Sequence, residues 1–181
     1  MCDTAKYIEY LDDAWKLRGK GEYKKVKALL QRVENGCHPD DFVVMGRVHH
    51  IYAQIERDHG NLKKALELYQ KSLGIYQKSN IPEKIAHSMR HVADVQSGLG
   101  FLLESEQNFK SVIAIYRDTS DVRVLDLANA LNGFGKCLEK LGKTREAIKI
   151  LTEANQYYSD LDIRGGIEET NKKLSELQGD Q

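Results

Sequence analysis

A glycine returns at four nearly even steps along this chain, Gly21, Gly60, Gly100 and Gly142, separated by 39, 40 and 42 residues. Each opens a similar stretch: Gly21-Glu-Tyr-Lys-Lys-Val26, Gly60-Asn-Leu-Lys-Lys-Ala65, Gly100-Phe-Leu-Leu-Glu-Ser105 and Gly142-Lys-Thr-Arg-Glu-Ala147. A fixed period of this size constrains the fold more than any other feature. A unit this short cannot bury its apolar face alone, so it stacks on its neighbours.

Within a unit the glycine separates two helical patterns. Before Gly60, the residues Met45, Val48, Tyr52, Ala53 and Ile55 follow helical spacing. After it, Leu62, Ala65, Leu66, Tyr69, Leu73 and Tyr76 recur at steps of three and four, the mark of one buried helical face. Glycine accepts the positive φ that ends a helix, so each unit reads as a helix hairpin. The breaks between units agree. Asn80 precedes Ile81-Pro82, and proline suits a first helical turn. Asp40 or Asp41, and Ser120 or Asp121, are placed to cap the next first helices. No segment alternates as a half-buried strand does.

With the turn glycine at repeat position 15, position 8 reads Ala14, Ala53, Ala93 and Gly135. Position 20 reads Val26, Ala65, Ser105 and Ala147, and position 24 reads Leu30, Tyr69, Phe109 and Leu151. Small residues at 8 and 20 with a large one at 24 resemble tetratricopeptide repeats. The longer period is similar to the variety found in kinesin light chains and polarity adaptors. The resemblance implies an all-α, right-handed superhelical solenoid of four hairpins and a C-terminal capping helix. The repeats are expected at about residues 7–38, 41–79, 82–118 and 122–158, with the capping helix at about 162–178, in one domain over 1–181. The first unit departs from the pattern, with Asp13 where an apolar residue belongs, and reads as an N-terminal cap. In the last helix Ile163, Ile167, Leu174 and Leu177 form one apolar stripe, and Gly165-Gly166 weaken its first turn.

Lys plus Arg and Asp plus Glu balance at 27 each. Nucleic-acid binding, which rests on phosphate neutralisation, is therefore not expected. No apolar run approaches the length that spans a bilayer, and the first residues lack the pattern of a signal peptide. Cys2, Cys37 and Cys137 form no disulfide framework. A cytoplasmic location is the expectation.

The resemblance places ligands along the first helices, where positions 2, 5, 9 and 12 form one stripe. The candidate peptide-binding residues are Arg47, His50 and Gln54 on the second unit, with Arg57 beside them. They are His87, Arg90 and Asp94, with Ser97, on the third, and Asn129, Asn132 and Lys136, with Glu139, on the fourth. Arg47, Arg90 and Lys136 favour an acidic or C-terminal carboxylate ligand. The basic clamp that grips chaperone tails is not matched, because Leu11 and Trp15 stand at its positions. The expected partner is a protein or peptide, and the expected role is a non-enzymatic scaffold or adaptor.

Two other readings follow from particular residues. Leu11 and Trp15 on a terminal helix are expected to pack as a cap; exposed, they would form an apolar end suited to a homodimer. His50, His87, His91 and Asp94 would be the residues of a metal-dependent enzyme. However, the residues after His87 are Ser88, Met89 and Arg90, with no Glu following the histidine and a cation inside the pair, so no metal ligand is assigned. No phosphate loop, nucleophile elbow or paired-carboxylate motif occurs, and neither catalytic residues nor a cofactor is expected. Cys137 reads as a small packed hydrophobe.

Overall fold

The computed structural model describes residues 4–119 and 123–179. Cys2 and the proposed caps Ser120 and Asp121 lie outside the described residues. Those described form helices α1 (Thr4–Gly19), α2 (Tyr23–Gly36), α3 (Phe42–Asp58), α4 (Leu62–Ser79), α5 (Pro82–Leu99), α6 (Leu102–Asp118), α7 (Val124–Lys140), α8 (Thr144–Asp160) and α9 (Arg164–Gly179), with no strand among them. The chain divides into two compact units, Met1–Ser88 and Met89–Gln181. In the first, α1 packs on α2, α3 on α4, and both α1 and α2 on α3. In the second, α6 and α8 pack on α7, and α9 packs on α8.

The turns follow the sequence closely. Gly21, Gly60, Gly100 and Gly142 all have positive φ, from 73° to 87°, a region that costs a residue with Cβ. Asn80 is left-handed at the end of α4, and Pro82 begins α5. Asp41 caps α3, its carboxylate accepting from the Val44 N–H at 3.2 Å. The α8–α9 turn contains no glycine, and Asp162 takes the left-handed conformation there (φ 51°). An Asp side chain tolerates that region better than most, so this turn carried no glycine signal.

Packing explains the repeat positions. Leu30, Tyr69, Phe109 and Leu151 are fully buried, as are Ala14, Ala53 and Ala93. Large rings and branches fill hollows left by glycine. A Cβ on Gly133 would stand 2.8 Å from the Phe109 ring, and one on Gly46 2.6 Å from Tyr76. Gly135 makes the same room for Leu151, and Gly166 for Tyr158. Gly166, which weakens the start of α9 by propensity, is therefore what lets α9 approach α8. Ser105 replaces the usual Ala and satisfies its hydroxyl by donating to the Ala93 carbonyl at 2.9 Å.

The first helix corrects one expectation. Leu11 is buried, but Trp15 is 46% exposed and does not pack as a cap. The Arg18 guanidinium lies 4.8 Å from its ring centroid and makes a two-pronged ion pair with Asp58 on α3, at 2.8 and 3.1 Å. Asp13 is exposed and pairs with Lys16 at 3.3 Å, so an acidic residue is tolerated where an apolar one was expected.

Two predictions follow from this packing. Gly133→Ala pushes a methyl against the Phe109 ring and against the Asp94 carboxylate, 2.7 Å from the new atom. Urea unfolding should show a loss of about 1–3 kcal/mol, and Phe109→Leu in the same chain should return part of it; an additive double mutant would refute the contact. The second concerns His49, buried on α3, where burial and the nearby Lys71 ammonium push its pKa down to about 4. The native state refuses a proton that the unfolded chain accepts from pH 6.5 downward. Stability should therefore fall between pH 6.5 and 4, by up to roughly 3 kcal/mol. His49→Leu should flatten that limb of the pH–stability curve, and an unchanged limb would assign it to other groups.

Candidate functional site

The candidate stripe begins on α3, a helix started by the Asp41 cap. There Arg47 is half-buried and its guanidinium donates to the Asp12 carboxylate of α1 at 2.5 Å. Arg47, expected as a ligand donor, thus already has a carboxylate partner within the chain. His50 and Gln54 are buried, one turn apart, with Nε2 atoms 3.1 Å from each other. The His50 ring packs edge-on to Tyr69 at 5.2 Å and lies 5.1 Å from the His87 ring, centroid to centroid. The first unit thus brings His50, Gln54 and His87 together as packed side chains, with Arg47 at their margin.

In the second unit, Arg90 and Asp94, one turn apart on α5, form an ion pair at 3.3 Å. The other Arg90 nitrogen lies 2.9 Å from His91 Nε2. A guanidinium has no acceptor, so Nε2 accepts and is thereby committed to a cation. On α7, the Asn132 amide donates to Glu169 Oε2 at 3.0 Å, and the Lys136 ammonium bonds the other oxygen of the same carboxylate. Asn129 accepts from the Tyr158 hydroxyl at 2.8 Å. The Lys136 and Asn132 contacts hold the Glu169 carboxyl below its usual range against the opposing effect of burial, which is the larger single influence. Asn132 is buried, and its carbonyl oxygen has no hydrogen-bond partner among the described residues.

Three of the donor sets already hold a carboxylate of the chain itself: Arg47 holds Asp12, Arg90 holds Asp94, and Asn132 with Lys136 holds Glu169. Sequence reasoning missed Glu169, Asp12, Tyr158 and the Arg18–Asp58 bridge. A usable signal exists. Asp12 and Arg47 are 35 residues apart, Arg18 and Asp58 40, Glu106 and Lys143 37, and Asn132 and Glu169 37, so polar partners sit about one period apart. Residues so separated occupy like helices of neighbouring hairpins and meet side by side.

No helix among the described residues is long and apolar enough to cross a membrane. No curated protein matches the chain. Solved structures similar in fold include these two. One is a Podosopora anserina protein described as a kinesin light chain with nearly identical TPR-like repeats, 15% identical, with 99% of this chain and 98% of that chain covered and a TM-score of 0.68. The other is BtubC (BKLC) from P. vanneervenii, also 15% identical, with 97% and 83% covered and a TM-score of 0.73. The tetratricopeptide repeat family matches residues 44–118 and again 84–158. Positive-φ turn glycines one period apart, buried small-on-large packing and this match agree: the chain belongs to the tetratricopeptide repeat family.

Proposed function

We propose that this protein is a non-enzymatic adaptor that holds an acidic peptide or partner helix along the first helices of its hairpins, α3, α5 and α7. Tetratricopeptide repeats generally mediate protein–protein interaction. The observation that carries the acidic specificity is Glu169, bound by Asn132 and Lys136 together. Donors that hold one carboxylate from the chain fit a carboxylate from a ligand at the same positions. The reading treats the chain as one repeat domain of four hairpins and a closing helix, working in the cytoplasm. Within it, Arg47, Arg90, Asp94, Asn129, Asn132 and Lys136 contact the ligand, while His50, Gln54 and His87 shape the surface from beneath.

A second reading, self-association through α1, draws on Ile8 and Trp15, 39% and 46% exposed and two turns apart on that helix. Light scattering over a concentration series decides it: a constant monomer mass removes it.

The adaptor reading is tested with Arg90→Ala/Asn132→Ala beside wild type as baits in lysate of the source cell, read by mass spectrometry. The double variant should keep its helical circular dichroism and bind the wild-type partner at least about tenfold more weakly, since charged hydrogen bonds are lost. A folded variant that captures the partner as well as wild type does would sink the assignment of these helices.

A further inference from the structure

The four turns after the repeat glycines differ in one respect. The first residue after the glycine is Glu22, Asn61 and Lys143 in three of them, and Phe101 in the other. The third residue is Lys24, Lys63 and Arg145, and Leu103 in the same exceptional turn. Phe101 is 49% exposed and Leu103 66%, the latter the most exposed large apolar side chain among the described residues. Phe101 sits at the N-cap of α6, as Glu22, Asn61 and Lys143 do for the second helices of the other hairpins, and none of the four makes a side-chain capping bond. Three turns thus carry polar or charged residues at positions where the fold requires nothing apolar. The fourth exposes an aromatic and a leucine there.

A lysine stands beside this turn. Lys140, at the end of α7, donates to the Ser97 carbonyl at 2.9 Å and to the Ser97 hydroxyl at 3.3 Å. That carbonyl also receives the Gly100 N–H, and the Cys137 thiol one turn earlier on α7 reaches the Leu102 carbonyl at 3.5 Å. Lys140 is therefore anchored at Ser97, in the last turn of α5, on the carbonyl that also receives the Gly100 N–H. Its partners in these bonds are uncharged, whereas Lys136, Lys143 and Lys173 each reach a carboxylate. Glu104 lies in the first turn of α6, where the helix dipole favours it, about 100° round the helix from Leu103.

We infer that the α5–α6 turn is a docking site for an acidic amphipathic segment of another protein. Apolar side chains of the segment cover Phe101 and Leu103, and a carboxylate pairs with Lys140. None of its three contact residues, Phe101, Leu103 and Lys140, belongs to the first-helix stripe, although Ser97 of that stripe holds Lys140, and the two sites are tested by different variants. Lys140 is already oriented by its Ser97 bonds, so little ordering is needed when the carboxylate arrives.

The test selects phage-displayed random peptides on the immobilised full chain. The key variant is Phe101→Asn/Leu103→Lys, which installs what the second hairpin carries as Asn61 and Lys63, residues compatible with this turn. Enriched peptides should combine aliphatic or aromatic residues with Asp or Glu. They should bind the variant at least about tenfold more weakly, through lost apolar burial. Lys140→Gln should weaken them about threefold, a difference that fades at high salt, and Arg90→Ala/Asn132→Ala should leave them unchanged. The inference is overturned if nothing is enriched, if enriched peptides are basic, or if they bind the turn variant as tightly as wild type. Two other outcomes overturn it in favour of a different occupant: a wild-type dimer that the variant dissolves, or binding to phosphatidylserine vesicles that the variant abolishes.

Discussion

The fold depends on one steric fit, a large side chain seated in a hollow that only a residue lacking a side chain can leave. Phe109 over Gly133, Leu151 over Gly135, Tyr76 over Gly46 and Tyr158 over Gly166 are four instances. Each brings two helices close enough for the smaller neighbours to bury completely. Dispersion at such contacts falls off steeply with separation, so a gap of one methyl forfeits much of the attraction. The turn glycines reverse the chain; these other glycines decide how closely the reversed helices approach.

Polar contacts form a second layer over this packing. Arg18–Asp58, Arg47–Asp12, Lys143–Glu106 and Lys173–Glu139 each join helices about one period apart. Most of these side chains are partly buried, and Glu106 is buried, so the charges are only partly screened by solvent. The same residue types that a peptide ligand would need are thereby engaged within the chain. On the proposed reading, a ligand carboxylate at Asn132 and Lys136 would have to exchange for Glu169, which both residues already hold.

Most of the architecture is legible in the sequence, because a period and a turn glycine are local signals. Helix boundaries follow from Asp41, Asn80 and Pro82, whose backbone preferences act within a few residues. The α8–α9 reversal at Asp162 is not legible, since Asp enters the left-handed region too seldom to mark it. The stripe is legible as a list of positions and illegible as an environment. Helical spacing puts His50 and Gln54 on one face of α3 and Asn132 on α7, but it does not show that all three are buried, nor that His50 meets His87 and Asn132 meets Glu169, each 37 residues on. Trp15 shows the converse: it is expected to pack as a cap, and the structure leaves it exposed with the Arg18 guanidinium, tied to Asp58, beside its ring.

The chain has one tryptophan, and it sits on α1, stacked beneath a guanidinium that is itself tied to α3. Its emission therefore reports the α1–α3 contact and little else. In a repeat protein, where units can open separately, this makes the natural fluorophore a local gauge. Melting followed at this ring would record detachment of the first helix, while circular dichroism would record all nine described helices. A difference between the two midpoints would measure how independently the first helix detaches, with no label added.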